Sequence, residues 1–145
     1  MVADGTVALP AGDAIEPFVD VDDLADVVVA ALTEDRHHGE VYEVTGPALL
    51  GFAATAEEIE PATGRPVRYL PISEQDFTTE MSRAGVPDEL VAVLTEVRAE
   101  LRDGRNASLG DGVQRALGRS PRDFASFARA AAADGARTPH ALTHS

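Results

Sequence analysis

The chain has 145 residues, enough for one domain with one hydrophobic core, and no cysteine, which excludes disulfides, thiolate metal sites and cysteine nucleophiles. Its 25 acidic residues face 12 basic ones, all arginine, for a net charge of −13; nucleic acid and anionic membrane surfaces are therefore not expected partners. The absence of lysine rules out a Schiff-base enzyme, a P-loop lysine and a Tyr-x-x-x-Lys pair. No membrane-length apolar run and no basic leader ahead of an apolar core is visible, so the expected setting is cytoplasmic.

Residues 1–17 read as a loop holding a short strand at Val7–Leu9, broken by Pro10, Gly12 and Pro17. Gly5 and Gly12 lack the spacing of a phosphate-cradling loop. Phe18, Val19 and Val21 then predict a buried strand that runs straight into a helix to about residue 33, opened by Asp20, Asp22 and Asp23. Leu24, Val27, Val28, Ala31 and Leu32 recur as the stripe of a helix packed on a sheet. Asp35–Gly39 is a turn, and Val41, Tyr42 and Val44 predict a strand over 40–45 ended by Gly46-Pro47. Strand, helix and strand would form a parallel βαβ unit.

Phe52, Ala56 and Ile59 mark a helix to about residue 62 that Gly64 closes, followed by a short extended segment at Val67–Leu70. Ser73-x-x-Asp76 opens a helix carrying Phe77 and Met81, which Gly85 stops. Leu90, Leu94, Val97 and Leu101 predict the buried side of the most regular helix, which Gly104 ends. A loop, a short helix over 112–117 and a last helix beginning Ser120-Pro121-Arg122-Asp123 follow, with Phe124, Phe127, Ala128 and Ala131 as its buried stripe. The division expected is a single α/β domain over 1–135 and a flexible tail over 136–145.

Chemistry-bearing residues are sparse. His37-His38 reads as a solvated turn, and His140 and His144 fall in the tail; neither pair has the further ligands a metal site needs. Asp20, Asp22, Asp23 and Asp26 read as helix capping and a solvated first turn. No Gly-x-Ser-x-Gly elbow accompanies the serines, and no catalytic residue is assigned. Phe52, Phe77, Met81, Phe124 and Phe127 are core residues first of all.

The stretch Val19-Asp20-Val21-Asp22-Asp23-Leu24-Ala25 resembles a late segment of extended and atypical short-chain dehydrogenase/reductase proteins. With Val41–Pro47, Ala62–Tyr69, Gly85-Val86-Pro87 and Leu117–Phe124, in that order and spacing, the chain resembles the C-terminal part of the NmrA-like, NAD(P)-binding branch, of azoreductase and quinone-reductase type. That resemblance implies an α/β fold: a partial Rossmann-type sheet remnant with a mostly helical, substrate-type C-terminal part. It also implies an apolar substrate site, sought among Phe18, Phe52, Tyr69, Phe77 and Met81. The family cofactor is NADP. The glycine-rich turn and ribose-binding residue of the family match nothing in these residues, so no position is assigned to a cofactor or a metal.

Three functions follow as expectations. The first is non-redox binding of a small apolar or aromatic ligand or a partner protein. The second is a cofactor-independent isomerase or cyclase. The third is a truncated NAD(P)H-dependent reductase. Strands without their usual neighbours would expose edges and an apolar face, so a homodimer or a partner chain covering the open sheet edge is expected.

Overall fold

The computed structural model describes residues 2–3, 5–102, 104 and 107–135. The chain begins with β1 (Val2–Ala3), β2 (Thr6–Leu9) and β3 (Ile15–Glu16) and continues into α1 (Val21–Thr33) and a short 3₁₀ turn (Asp35–His37). Next come β4 (Leu50–Gly51), α2 (Phe52–Thr63), β5 (Arg68–Pro71), α3 (Glu74–Arg83) and α4 (Asp88–Arg102), and finally α5 (Gly112–Leu117) and α6 (Phe124–Ala133). It is a mixed α/β fold with a small partly parallel sheet and a helical C-terminal part. β1 pairs antiparallel with β2, and β2 pairs parallel with β5 from Thr6↔Arg68 to Leu9↔Pro71. β3 and β4 form a separate antiparallel ladder in which Glu16 faces Leu50.

Local chemistry accounts for most helix ends. Asp20 accepts the Asp22 N–H at 2.9 Å at the start of α1. Ser73 caps α3: its hydroxyl accepts the Asp76 N–H at 3.0 Å and donates to the Asp76 carboxylate at 2.7 Å. Gly64 and Gly118 close α2 and α5 in the left-handed region, at φ 66° and 69°. The last helix starts later than its Ser-Pro signal predicts. Asp123, not Ser120, is the cap, accepting the Ser126 N–H at 2.7 Å, because residues 119–122 are drawn onto α1 instead.

The expected βαβ unit over 18–45 does not form. Residues 17–20 and 41–46 are extended but belong to no ladder. Gly46 N–H donates to the Pro17 carbonyl at 3.2 Å, while Gly112 N–H donates to Glu43 O at 3.0 Å and Gly110 N–H to Thr45 Oγ1 at 3.0 Å. The 41–46 segment is thus held between Phe18 and the 110–112 loop. β-propensity makes a strand only where a neighbouring strand completes the ladder. The parallel pair of this fold is β2 with β5.

The same lack of a sheet leaves most of the expected stripe of α1 exposed, Val27 excepted. Asp23, Val27 and Ala30 are its buried positions, and Val27 joins Val113 and Ala116 of α5 in a core flanked by Tyr42, Val44 and Leu117. Val21, Leu24, Val28, Val29 and Leu32 are exposed, Leu32 by 81%. On α4 the buried residue is Val91, while Leu90 and Val97 are exposed; the side chain of Leu101 and the expected tail lie outside the described residues. No helix among the described residues is long and apolar enough to cross a membrane.

Candidate functional site

Five of the seven aromatic side chains gather into one connected group. Phe18, just ahead of α1, meets Phe52 edge-on at 5.4 Å and Phe124 at 5.8 Å. Phe52, the first residue of α2, lies 5.8 Å from the Tyr69 ring on β5, and Phe124 lies 5.8 Å from Phe127 one helical turn on. The distances and edge-on angles are those of favourable quadrupolar contacts. All five rings are only half-buried. Aromatic groups that serve as core alone are usually shut from water more fully, so this cluster offers accessible ring surface.

Three features position it. The Cβ that Gly46 lacks would sit 1.8 Å from the Phe18 carbonyl oxygen, so only glycine allows this approach, which fixes the backbone of Phe18. The second is an ion-pair group between α1 and the lead-in to α6. Asp23 is fully buried and accepts from Arg119 Nη1 and Arg122 Nη1 at 2.8 Å each and from the Arg122 backbone N–H at 2.7 Å. Asp26 adds Arg119 Nη2 at 2.7 Å, and the two carboxylates push the Arg119 pKa up. With 119 and 122 tied to α1, Phe124 is delivered to Phe18. The third is the Tyr69 hydroxyl, which donates toward the Leu9 and Gly12 carbonyls at 3.3 and 3.1 Å. Burial raises its pKa, so Tyr69 stays neutral and its hydroxyl is spent on the backbone; its ring remains for the site.

Glu16 lies two residues ahead of Phe18. Its cross-strand partner is Leu50; Phe52 follows Leu50 by two residues, and the Phe18 and Phe52 rings touch. Glu16 Oε1 is closed to solvent with no hydrogen-bond partner among the described residues, and desolvation raises the carboxyl pKa above its ordinary 4.5. The folded state therefore binds the proton more tightly than the unfolded chain, and stability falls as pH rises from 4.5 through the raised folded value. Glu16→Gln is expected to melt higher than the parent at pH 7, with the difference vanishing toward pH 4; thermal unfolding followed by circular dichroism across that range checks it.

Of the residues expected in a site, the structure joins Phe18, Phe52 and Tyr69. Phe77 is buried and Met81 half-buried on α3, whose principal neighbour is α4. Glu16, Phe124 and Phe127 were not among the expected ligand-binding residues. The Phe-x-x-Phe spacing at the head of the last helix was a usable signal; nothing in the sequence showed that Glu16 would lack a partner. Two polar groups read as solvated are not. Asp23 is the buried centre of the ion pairs. His37 is also buried: its Nδ1 and the Tyr42 hydroxyl share a hydrogen bond at 2.7 Å, and its Nε2 lies 3.5 Å from Glu34. Asp23 sits under a segment distant in sequence, whereas the polar partners of His37 lie within five residues of it. An open groove between α1 and residues 117–119 is walled by Asp26, Thr33, Glu34 and Arg119 and carries charge rather than rings.

The chain is 38% identical over 129 residues to an NAD(P)H azoreductase of Xenophilus azovorans, covering 89% of this chain and 45% of that protein. An uncharacterized oxidoreductase of Bacillus subtilis is 32% identical over 130 residues, with 90% and 46% covered. The chain corresponds to the C-terminal part of an NmrA-like, NAD(P)-binding reductase. No family model matches it. The fold of this NmrA-like chain is similar to that of part of the Citrobacter sp. triphenylmethane reductase complexed with NADP(H), with a TM-score of 0.73 and 23% identity over 88% of this chain and 44% of that one. The quinone oxidoreductase of Escherichia coli gives a TM-score of 0.72 at 24% identity over 86% and 45%. The NmrA-like chain thus spans a little under half the length of the relatives it matches.

The N-terminus of α1 does not suit a pyrophosphate. Gly5 and Gly12 lead to α1, whose N-terminus carries Asp20, Asp22 and Asp23 where a pyrophosphate would require free N–H groups and no negative charge. A Cβ on Gly5 would strike the Pro66 carbonyl, so this glycine serves the packing of the sheet.

Proposed function

We propose that this NmrA-like chain is the acceptor-binding side of a cytoplasmic NAD(P)H-dependent reductase, and that its ring cluster binds a flat aromatic molecule. The observation that carries this reading is the group of five half-buried rings, with Glu16 two residues ahead of Phe18. Half-buried rings provide faces and edges for stacking, and covering their remaining apolar surface favours binding. The names of the relatives, an azoreductase and a quinone oxidoreductase, agree with such an acceptor. By itself the chain binds the aromatic molecule without redox chemistry, a reading that the aspartates at the α1 N-terminus support. On this reading the exposed apolar face of α1 seats the nucleotide-binding half, the part of the solved reductases that this chain does not cover. A second copy is a poorer occupant because each carries a net charge of −13.

Titration calorimetry with menadione tests the proposal. Saturable binding is expected, weakened about three- to tenfold by Phe52→Leu or Phe124→Leu, which keep bulk and remove the ring. NADPH is expected to give no binding heat. Absence of menadione binding, or binding indifferent to both substitutions, would overturn the ring site; micromolar NADPH binding would overturn the assignment as the acceptor side. A second reading, a cofactor-independent isomerase, is favoured by one observation, the desolvated Glu16 carboxyl. Conversion of an aromatic substrate without nucleotide would select it.

A further inference from the structure

We propose that Glu16 is the polar anchor of the ring site: its carboxylate accepts a hydrogen bond from an O–H or N–H on the bound aromatic molecule. The site then selects aromatics that bear such a donor over hydrocarbons of the same shape. This rests on the ring cluster being a ligand site and goes beyond it by naming the chemistry the ligand must carry.

The neighbouring polar groups are already committed. The Tyr69 hydroxyl is turned to the Leu9 and Gly12 carbonyls, and the Asp20 carboxylate holds the Asp22 N–H. Asp23 is saturated by two arginines and a backbone N–H. Glu16 alone among these four keeps an oxygen that is closed to water and has no donor among the described residues. A carboxylate oxygen left so is costly to the folded chain, and a donor on the ligand recovers that cost on binding, whereas a hydrocarbon leaves it in place. The same logic gives sites built around an unpaired polar atom their strong preference for the matching analogue. Glu16 precedes Phe18 by two residues and pairs with Leu50, two residues ahead of Phe52, so it lies close in the chain to the two rings that meet at 5.4 Å.

Indole and indene test this: they are one bicycle with N–H or CH₂ at the same place. Calorimetry with the purified chain is expected to show indole binding about tenfold or more tighter than indene. In Glu16→Leu the two are expected to bind alike, with indene affinity retained; the change removes a buried charge, and a thermal melt reports whether the fold is kept. The side-chain carboxyl carbon (Cδ) resonance of Glu16 in the parent chain provides a measurement that needs no variant. It is expected to shift with indole and not with indene. Equal affinities in the parent chain, or a preference that survives Glu16→Leu, would overturn the anchor and leave the ring site standing. Failure of both probes to bind would overturn the ring site and the anchor together.

Discussion

Replacing both arginines that face Asp23, as in Arg119→Ala/Arg122→Ala, is expected to lower unfolding stability by about 3 kcal/mol, while either change alone costs about 1 kcal/mol. The asymmetry follows from where the charges lie. Asp23 is 0% exposed, whereas the Arg119 and Arg122 side chains are 36% and 41% exposed. A single partly exposed arginine is screened by water and contributes little by itself. With one arginine gone the other still neutralises the carboxylate. With both gone, a buried charge retains only the Arg122 backbone N–H as partner, and the desolvation cost is no longer met. Urea unfolding of the parent, the two single variants and the double variant gives the cycle; a double-variant loss equal to the sum of the singles would refute it. The pair also places Phe124 against Phe18, so menadione affinity is expected to fall in the double variant and hold in the singles.

Gly46→Ala is expected to cost at least about 3 kcal/mol and to weaken ligand binding at the ring cluster. The added Cβ would lie 1.8 Å from the Phe18 carbonyl oxygen and 2.8 Å from its carbon. Both are backbone atoms, so no rotamer change relieves the overlap; the 41–46 segment must move away from Phe18. Gly64→Ala is the comparison: its Cβ meets nothing within 4 Å, and only the left-handed φ of 66° opposes it, a cost of about 1 kcal/mol. Equal losses for the two, measured by urea unfolding, would show that close approach at Gly46 is not what holds Phe18.

Most of the elements were legible from local chemistry. Asp20, Ser73, Gly64, Gly85 and Gly118 each bound a helix through hydrogen bonds or a φ angle set within a few residues, and such signals need no knowledge of the rest of the chain. The strand residues Val7 and Tyr69 were visible for the same reason. Residues 18–21 and 41–45 carried an equally good strand pattern and failed, because a strand is completed by its neighbour and none is present beside them. Of the stripe on α1, Val27 is buried as expected, while Leu24, Val28, Ala31 and Leu32 are exposed. Periodicity shows which positions share a face of the helix; another element decides whether that face is covered.

The candidate site divides in the same way. Phe18, Phe52 and Tyr69 were singled out from the sequence, but their meeting with Phe124 depends on Arg119 and Arg122 crossing about a hundred residues of chain to Asp23. The acidic run at 20–26 contained both a helix cap and the buried centre of an ion-pair group, and residue type alone does not separate them. What the sequence determined by itself was the set of helices and turns, the strongly acidic surface and the kinship to an NmrA-like reductase, all properties of short-range pattern and composition. Only the tertiary structure decided that Asp23 and His37 are buried, that five rings form one group, and that Glu16 keeps an oxygen without a donor among the described residues. Burial and hydrogen-bond satisfaction depend on which distant segments arrive at a residue.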